Sequence, residues 1–397
     1  MACDRKCLTQ FFAYACVSQG MKNIIGSALL FFLPQYLFPQ QLTTWQITGQ
    51  TFNPYVINTG VPFLLMTPDA RANALGETGA ATTSDVSSIF WNAAKSSFAS
   101  NRTEISVGYT PWLRSLLPDI NFGYTDGYYK MNDREALSYS LRNIDYNTMS
   151  FTNIVGNAAD EFHPRETAVD LAYGRKLASN FSMALAFRYI YSDLTNGKTV
   201  NGRSSHPGQS MAIDISAYYK KDFNIAGREF ARAFGLNVSN IGSKISYYDL
   251  QSKLFLPTSL RLGGRLSVAI GEKNFFSVTT DLNKLLIPEP HIYSTLPAGT
   301  YGNTDFREEL KQTTIGTGIE FVFNHCFFLR SGYFYEDARY GGRQYFTAGI
   351  GVRYKRFALD LSDLLPTGIR SPLKNTARFS FTCSLPVITK EYIDHQQ

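Results

Sequence analysis

The sequence predicts an all-β fold: a transmembrane antiparallel β-barrel of about fourteen strands, preceded by a segment that folds as a plug within it. Three observations lead there. Charged residues are 18% of the 397, below the ~25% of an ordinary globular chain. Aromatic residues reach 14%, with 24 Tyr and 30 Phe, yet the mean hydropathy is only −0.16. That combination suits a sheet with one apolar face and excludes a bundle of apolar helices. From Thr103 onward, apolar and polar residues alternate over stretches as long as a tilted membrane strand (~9–11 residues), longer than the ~5–6 of a soluble strand.

The chain opens with a region, residues 1–40, that reads as a secretory signal. Met21-Lys22-Asn23 supplies a positive start and Ile24 to Leu33 an apolar core, so Met21 is the expected true start and residues 1–20 an upstream extension. A rival reading makes Cys16, after Ala13-Tyr14-Ala15, a lipid-modified cysteine. Residues 41–100 are expected to form an N-terminal extension and the lumenal plug, 101–386 the barrel, and 387–397 a C-terminal tail.

The plug centres on Met66 to Phe98. Pro68, Gly76 and Gly79 punctuate it, and Ala70, Ala72, Ala74, Ala80 and Ala81 keep it thin enough for backbone to pack closely. Asp69 and Asp85 stand where a side-chain oxygen can cap a short helix. The stretch ends on Trp91-Asn92-Ala93-Ala94-Lys95. Thr67, Pro68, Asp69, Ala70, Arg71, Gly76, Gly79, Ala81, Trp91, Asn92, Ala94 and Lys95, with Val61-Pro62-Phe63 before them and Asn180–Ala184 and Arg188–Asp193 later, resemble the PorV (LptO) family within the FadL-like barrel superfamily. The resemblance spans about residues 50 to 385; Ala93 stands where the family carries proline. It implies an outer-membrane component of the type IX secretion system. Its partners would be secreted proteins carrying type IX C-terminal signal domains, translocon and attachment-complex proteins, and outer-membrane lipid.

Strand-like segments begin near Thr103, Asp119, Glu135, Glu166, Asn180, Gln209, Glu229, Thr258, Asn274, Lys311, Cys326, Gln344, Arg356 and Asn375. A period of two puts alternate side chains on opposite faces. Phe181, Met183, Leu185, Phe187, Tyr189 and Tyr191 share a face; Ser182, Ala184, Ala186 and Arg188 share the other. Parity alone therefore predicts that arginine is costly at 185 and better tolerated at 186, subject to lumen crowding. Apolar faces end in Tyr109, Tyr173, Tyr191, Tyr219, Tyr335 and Tyr354, as an interfacial girdle requires. The other faces carry Arg142, Asp170, Arg188, Asp214, Arg261, Arg265, Glu320, Arg330, Arg353 and Arg378, charges that would be costly against lipid and so face the lumen. They either pair to brace the barrel or bind an anionic group in transit; Asp69 and Arg71 read first as plug-to-wall anchors. Short turns such as Ala178–Asn180, Gly271–Asn274 and Phe323–His325 belong on the periplasmic side. Long connections lie near 143–165, 194–208, 240–257 and 285–310. The last, with Pro288, Pro290, Pro297 and Gly299, is the favoured cargo-binding loop.

Chemistry-bearing motifs are scarce. There is no G-x-S-x-G elbow. Gly197-Lys198-Thr199 has Ser192 where a phosphate loop needs its first glycine, and Gly349-Ile350-Gly351 has Tyr354 where a dinucleotide loop needs its last. His163, His206, His291, His325 and His395 have no second ligand at metal spacing, and Cys326 and Cys383, read as small apolar strand residues, fit no metal site. No catalytic residue, metal or cofactor is expected. The formal charge of +6 comes without a Lys/Arg run, so no nucleic acid is expected. Three functions stand: a cargo-binding secretion shuttle, as the resemblance implies; a FadL-like channel for hydrophobic small molecules; and a lipopolysaccharide-modifying enzyme, for which no nucleophile with an adjacent base is present.

Overall fold

The computed structural model describes residues 58–112, 120–152, 158–200, 203–248, 253–287, 310–367, 373–374 and 376–385. The signal region, nearly all of the 285–310 loop and the C-terminal tail lie outside them. Four short helical pieces precede the strands: a 3-10 turn Pro62–Leu65, α1 (Ala70–Ala74), α2 (Ser88–Trp91) and a 3-10 turn Ala93–Phe98. The strands are β1 (Thr103–Pro111), β2 (Asn121–Lys130), β3 (Glu135–Asp145), β4 (Met149–Thr152), β5 (Ala158–Phe162), β6 (Arg165–Ala178), β7 (Phe181–Asp193), β8 (Thr199–Val200) and β9 (Arg203–Ser204). They continue with β10 (Gly208–Ile225), β11 (Arg228–Gly242), β12 (Ser259–Ile270), β13 (Asn274–Leu285), β14 (Thr314–Phe323), β15 (Phe327–Tyr335), β16 (Gln344–Tyr354), β17 (Phe357–Pro366) and β18 (Arg378–Ser384).

Fourteen of these close into one antiparallel barrel, in the order β1-β18-β17-β16-β15-β14-β13-β12-β11-β10-β7-β6-β3-β2. Closure leaves no free sheet edge around the ring, the condition for strands to sit in hydrocarbon. Two long connections hold small hairpins that alternation did not signal: β4 with β5, and β8 with β9. These are too short to display a period. Cys383 lies on β18, but Cys326 lies in the turn between β14 and β15, not on a strand.

Side-chain parity follows the pleat. On β7, Met183, Leu185 and Phe187 are exposed, while Ser182, Ala184, Ala186 and Arg188 are buried. Ala226-Gly227 has positive φ at both residues, the geometry that matches strand twist in a two-residue hairpin; Asn324-His325 has it too, with Cys326 as a third turn residue before β15. Two irregularities break the barrel ladder: β6 and β7 slip register between Lys176 and Ala178, and β10 and β11 between Ile213 and Ile215, opposite Asn240, which has φ 60. The β10–β11 bulge buries Asn240, and its amide reaches Arg188 and the Pro257 carbonyl.

The interior is filled from the N-terminal side. Val61, Phe63 and Leu64 join Ile120, Phe122, Ile144, Ile190, Ile245 and Leu256 in an apolar cluster at the long-loop end. Ile89, Ala93 and Ala94 pack on Ala172, Ala184, Ala186, Tyr218 and Ala233 deeper in the lumen.

Candidate functional site

The most built part of the molecule is the contact between residues 67–98 and the inner wall. Asp69 is extended at φ −93, ψ 147, and accepts from Ala72 N at 2.8 Å, so it caps α1. Its other oxygen accepts from Trp91 Nε1 at 2.7 Å. One carboxylate thus starts the first helix and anchors the end of the second. Asp85 does not cap α2: it accepts from the Ser88 hydroxyl at 3.0 Å. Thr67 and Pro68 are buried beside Asp69.

Arg71 spends all five donors. Nη1 reaches Asp85 at 2.8 Å and Thr83 O at 3.2 Å; Nη2 reaches Thr83 Oγ1 at 2.7 Å and Glu320 at 3.2 Å; Nε reaches Glu320 at 3.3 Å. Glu320 also accepts from Arg330 Nε at 2.8 Å, and Arg330 Nη1 pairs with Asp360 at 2.5 Å. The chain Asp85-Arg71-Glu320-Arg330-Asp360 therefore ties the plug to β14, β15 and β17. Lys95 is fully buried and donates to Gly79 O at 2.6 Å and Thr82 Oγ1 at 3.0 Å. Burial pushes its ammonium down from the ordinary lysine value, against the pull of Asp85. Asn92 bridges Ala80 O and Ala217 O at 3.0 and 2.9 Å and accepts from Ala94 N. Asp281 on β13 accepts from Gly79 N and Ala80 N at 2.7 and 2.8 Å.

A second charge relay crosses the opposite wall. Arg142 Nη2 donates to Asp170 at 2.9 Å, Asp170 also accepts from Arg188, and Arg188 Nη2 reaches Asp214 at 2.9 Å. Between the relays sit the aromatic rings of Phe90 and Trp91. Arg142 lies 5.0 Å from the Phe90 centroid and Arg261 4.4 Å from that of Trp91, within cation–π range. Arg261 also donates to Asn283 at 2.8 Å. Arg378 donates to Asn73 in α1. Arg265 and Arg353 take no part in the ion pairs above; they line a cavity of about 740 Å³ at the short-turn end, with Asp85, Lys220, Asp222 and Phe328. Of the named charges, Arg142, Arg261, Glu320 and Arg378 contact the plug directly, Asp170, Arg188, Asp214 and Arg330 are joined to it through these, and Arg265 and Arg353 share a cavity with it.

Sequence reasoning missed the glycines of the wall. Added β-carbons on Gly316, Gly318 and Gly332 would strike the backbone of Leu75 and Gly76, and one on Gly235 would strike Ala80. Gly76 has φ +70, and a side chain there would meet the Thr317 and Tyr333 carbonyls at 2.7 and 2.6 Å. The signal was present: glycine inside a strand marks close approach of another backbone. The 288–309 part of the favoured cargo loop is outside the described residues.

Compared with known proteins, residues 49–292, more than half of the chain, match the family model described as type IX secretion system protein PorV. No curated protein matches. Among solved structures, the toluene transporter TbuX of Ralstonia pickettii is 11% identical with a TM-score of 0.46, covering 80% of this chain and 98% of its own. The Pseudomonas putida toluene transporter TodX is 10% identical, TM-score 0.47, over 79% and 97%. A FadL homologue of Pseudomonas aeruginosa is 10% identical, TM-score 0.42, over 81% and 99%.

Proposed function

Because this chain belongs to the PorV family of type IX secretion system proteins, and is an outer-membrane β-barrel, we propose that it binds secreted cargo through the cargo's C-terminal signal domain. It passes that cargo from the translocon to the surface attachment complex. The family match is the observation that carries this reading. The mechanism is docking without catalysis: a rigid barrel presents external loops, first 285–310, as the gripping surface. In this reading residues 1–40 direct export. Pro68, Asp69, Arg71, Gly76, Gly79, Trp91, Asn92 and Lys95 fasten the plug, and the lumenal charges brace it.

Rigidity is what the fastening supplies. A barrel whose lumen is cross-linked by buried ion pairs and aromatic–guanidinium contacts resists deformation when a partner loads its loops, because each pair loses several kcal/mol of compensation if broken singly. The test is deletion of the protein. Cargo is then expected in the periplasm with its C-terminal signal uncleaved. Shortening 285–310 in a folded barrel is expected to weaken cargo capture. Normal surface cargo with lost uptake of a hydrophobic solute would favour a channel, and normal secretion with altered lipid A acylation would favour an enzyme. A loop-shortened variant that holds full amounts of cargo moves the grip to another loop, with 240–257 next.

A further inference from the structure

The hairpin of the two longest strands carries like charges face to face. β10 and β11 pair as far as Ile225 opposite Arg228 at the short-turn end, whereas β10 leaves β7 at Tyr219 opposite Phe181. Within this stretch Lys221 of β10 lies directly opposite Arg232 of β11. Both are exposed. Like charges in directly opposed positions on one face repel and weaken the strand pair. Among the described residues neither cation makes an ion pair. The carboxylates at this end of the hairpin, Asp222 and Glu229, stand on its other face by parity, and Asp222 pairs there with Lys220 at 3.5 Å.

The surroundings of the two cations are apolar. Toward the membrane centre, Tyr219 and Phe234 are cross-strand partners with ring centroids 6.4 Å apart, and Phe234 is exposed. Toward the turn, Phe223 and Phe230 stack at 5.7 Å, and the Arg232 guanidinium lies 5.7 Å from the Phe223 centroid. On the next strand Leu266, the ladder partner of Arg232, is also exposed. Rows of rings near the ends of membrane strands mark the level of the headgroups, where aromatic side chains collect. The cations thus sit at the depth of the lipid phosphates, not in open solvent. A single lysine or arginine at this depth is an ordinary snorkelling side chain. Two held opposite each other, with no acid on their face, present donors that one bridging anion satisfies.

We propose that Lys221 and Arg232 bind the phosphate of an anionic phospholipid in the periplasmic leaflet, whose glycerol and acyl parts rest on Phe234 and Leu266. The planar arginine fork takes two phosphate oxygens and the lysine ammonium a third as a point charge. A zwitterionic lipid brings its own cation beside two others and is disfavoured. A water-borne phosphate ester has no chain to lay on the apolar surface. The site needs no cargo, so it stands or falls apart from the secretion reading.

The test uses the full-length protein, purified and reconstituted in phosphatidylcholine vesicles. A trace of phosphatidylglycerol or of phosphatidylcholine carries the same photoactivatable group near its glycerol, and adducts are mapped by peptide mass spectrometry. Labelling of residues 217–234 by the phosphatidylglycerol probe is expected to exceed that by the phosphatidylcholine probe about five-fold or more. Lys221→Gln combined with Arg232→Gln should bring the two probes level while leaving the heat-modifiable band unchanged. Lys221→Arg combined with Arg232→Lys keeps both charges and should keep the preference. Arg134→Gln combined with Lys273→Gln removes the same charge from other short turns and should keep it as well. Four results would each overturn the proposal: equal labelling by both probes in the wild type, a preference that survives the double glutamine variant at 221 and 232, an equal loss in the variant at 134 and 273, or displacement of the probe by soluble glycerol phosphate.

Discussion

Leu185 and Ala186 are successive residues of β7, and an arginine at either one should fail for different reasons. Leu185 is 55% exposed on the outer face. Arginine near mid-depth of the bilayer costs ~2–4 kcal/mol, enough to compete with barrel assembly. Ala186 is 2% exposed and packs in one cluster with Ile89, Ala93 and Ala94 of the plug. A few added methylenes in a packed core cost ~1–3 kcal/mol, and arginine adds more than that. It also adds a charge on the face that already holds Arg188. The cheapest relief is for the plug to leave, since the barrel ladder itself needs no plug contact. Leu185→Arg is therefore expected to reduce the heat-modifiable folded band. Ala186→Arg is expected to keep that band and to open residues 70–95 to protease. Parity predicts that 186 is the better tolerated of the two, subject to lumen crowding; the packing of Ala93 and Ala94 on Ala186 puts the cost of that crowding on the plug. If Ala186→Arg leaves the plug as protected as in the wild type, or Leu185→Arg assembles fully, the assigned faces of β7 or the packing of Ala93 and Ala94 are wrong.

Two further outcomes follow from the plug contacts. Arg71→Ala leaves Asp85 with the Ser88 hydroxyl but without its guanidinium, and removes one of two arginines from Glu320, which keeps Arg330. Because the loss is partial, unfolding in lipid vesicles should fall by ~1–3 kcal/mol, short of the cost of a fully orphaned buried charge; a change within ~0.5 kcal/mol would remove Arg71 from the fastening role. Gly332→Ala should expose the plug to protease, because its β-carbon meets the Leu75–Gly76 backbone, whereas Gly264→Ala, with nothing within 4 Å, should not. Equal protease sensitivity of the two variants would contradict the close approach at Gly332.

Strand positions were legible because alternation is a local property. Thr103, Glu135, Asn274 and Gln344 are strand starts in both the sequence pattern and the structure, and the remaining barrel strands begin within three residues of the expected places. Antiparallel neighbours joined by short turns leave few alternative pairings, so the barrel followed from the segments. The faces of Leu185 and Arg188 needed no tertiary information either, since a charge and a leucine two sides apart on one strand have opposite solvation energies.

What the tertiary structure alone decided is which distant groups meet. Asp69 with Trp91, Arg71 with Glu320, and Gly76 against Gly332 are separated along the chain by 22, 249 and 256 residues, and no periodicity links them. Their pairing depends on barrel shear and on the path of the plug through the lumen, which are properties of the closed sheet as a whole.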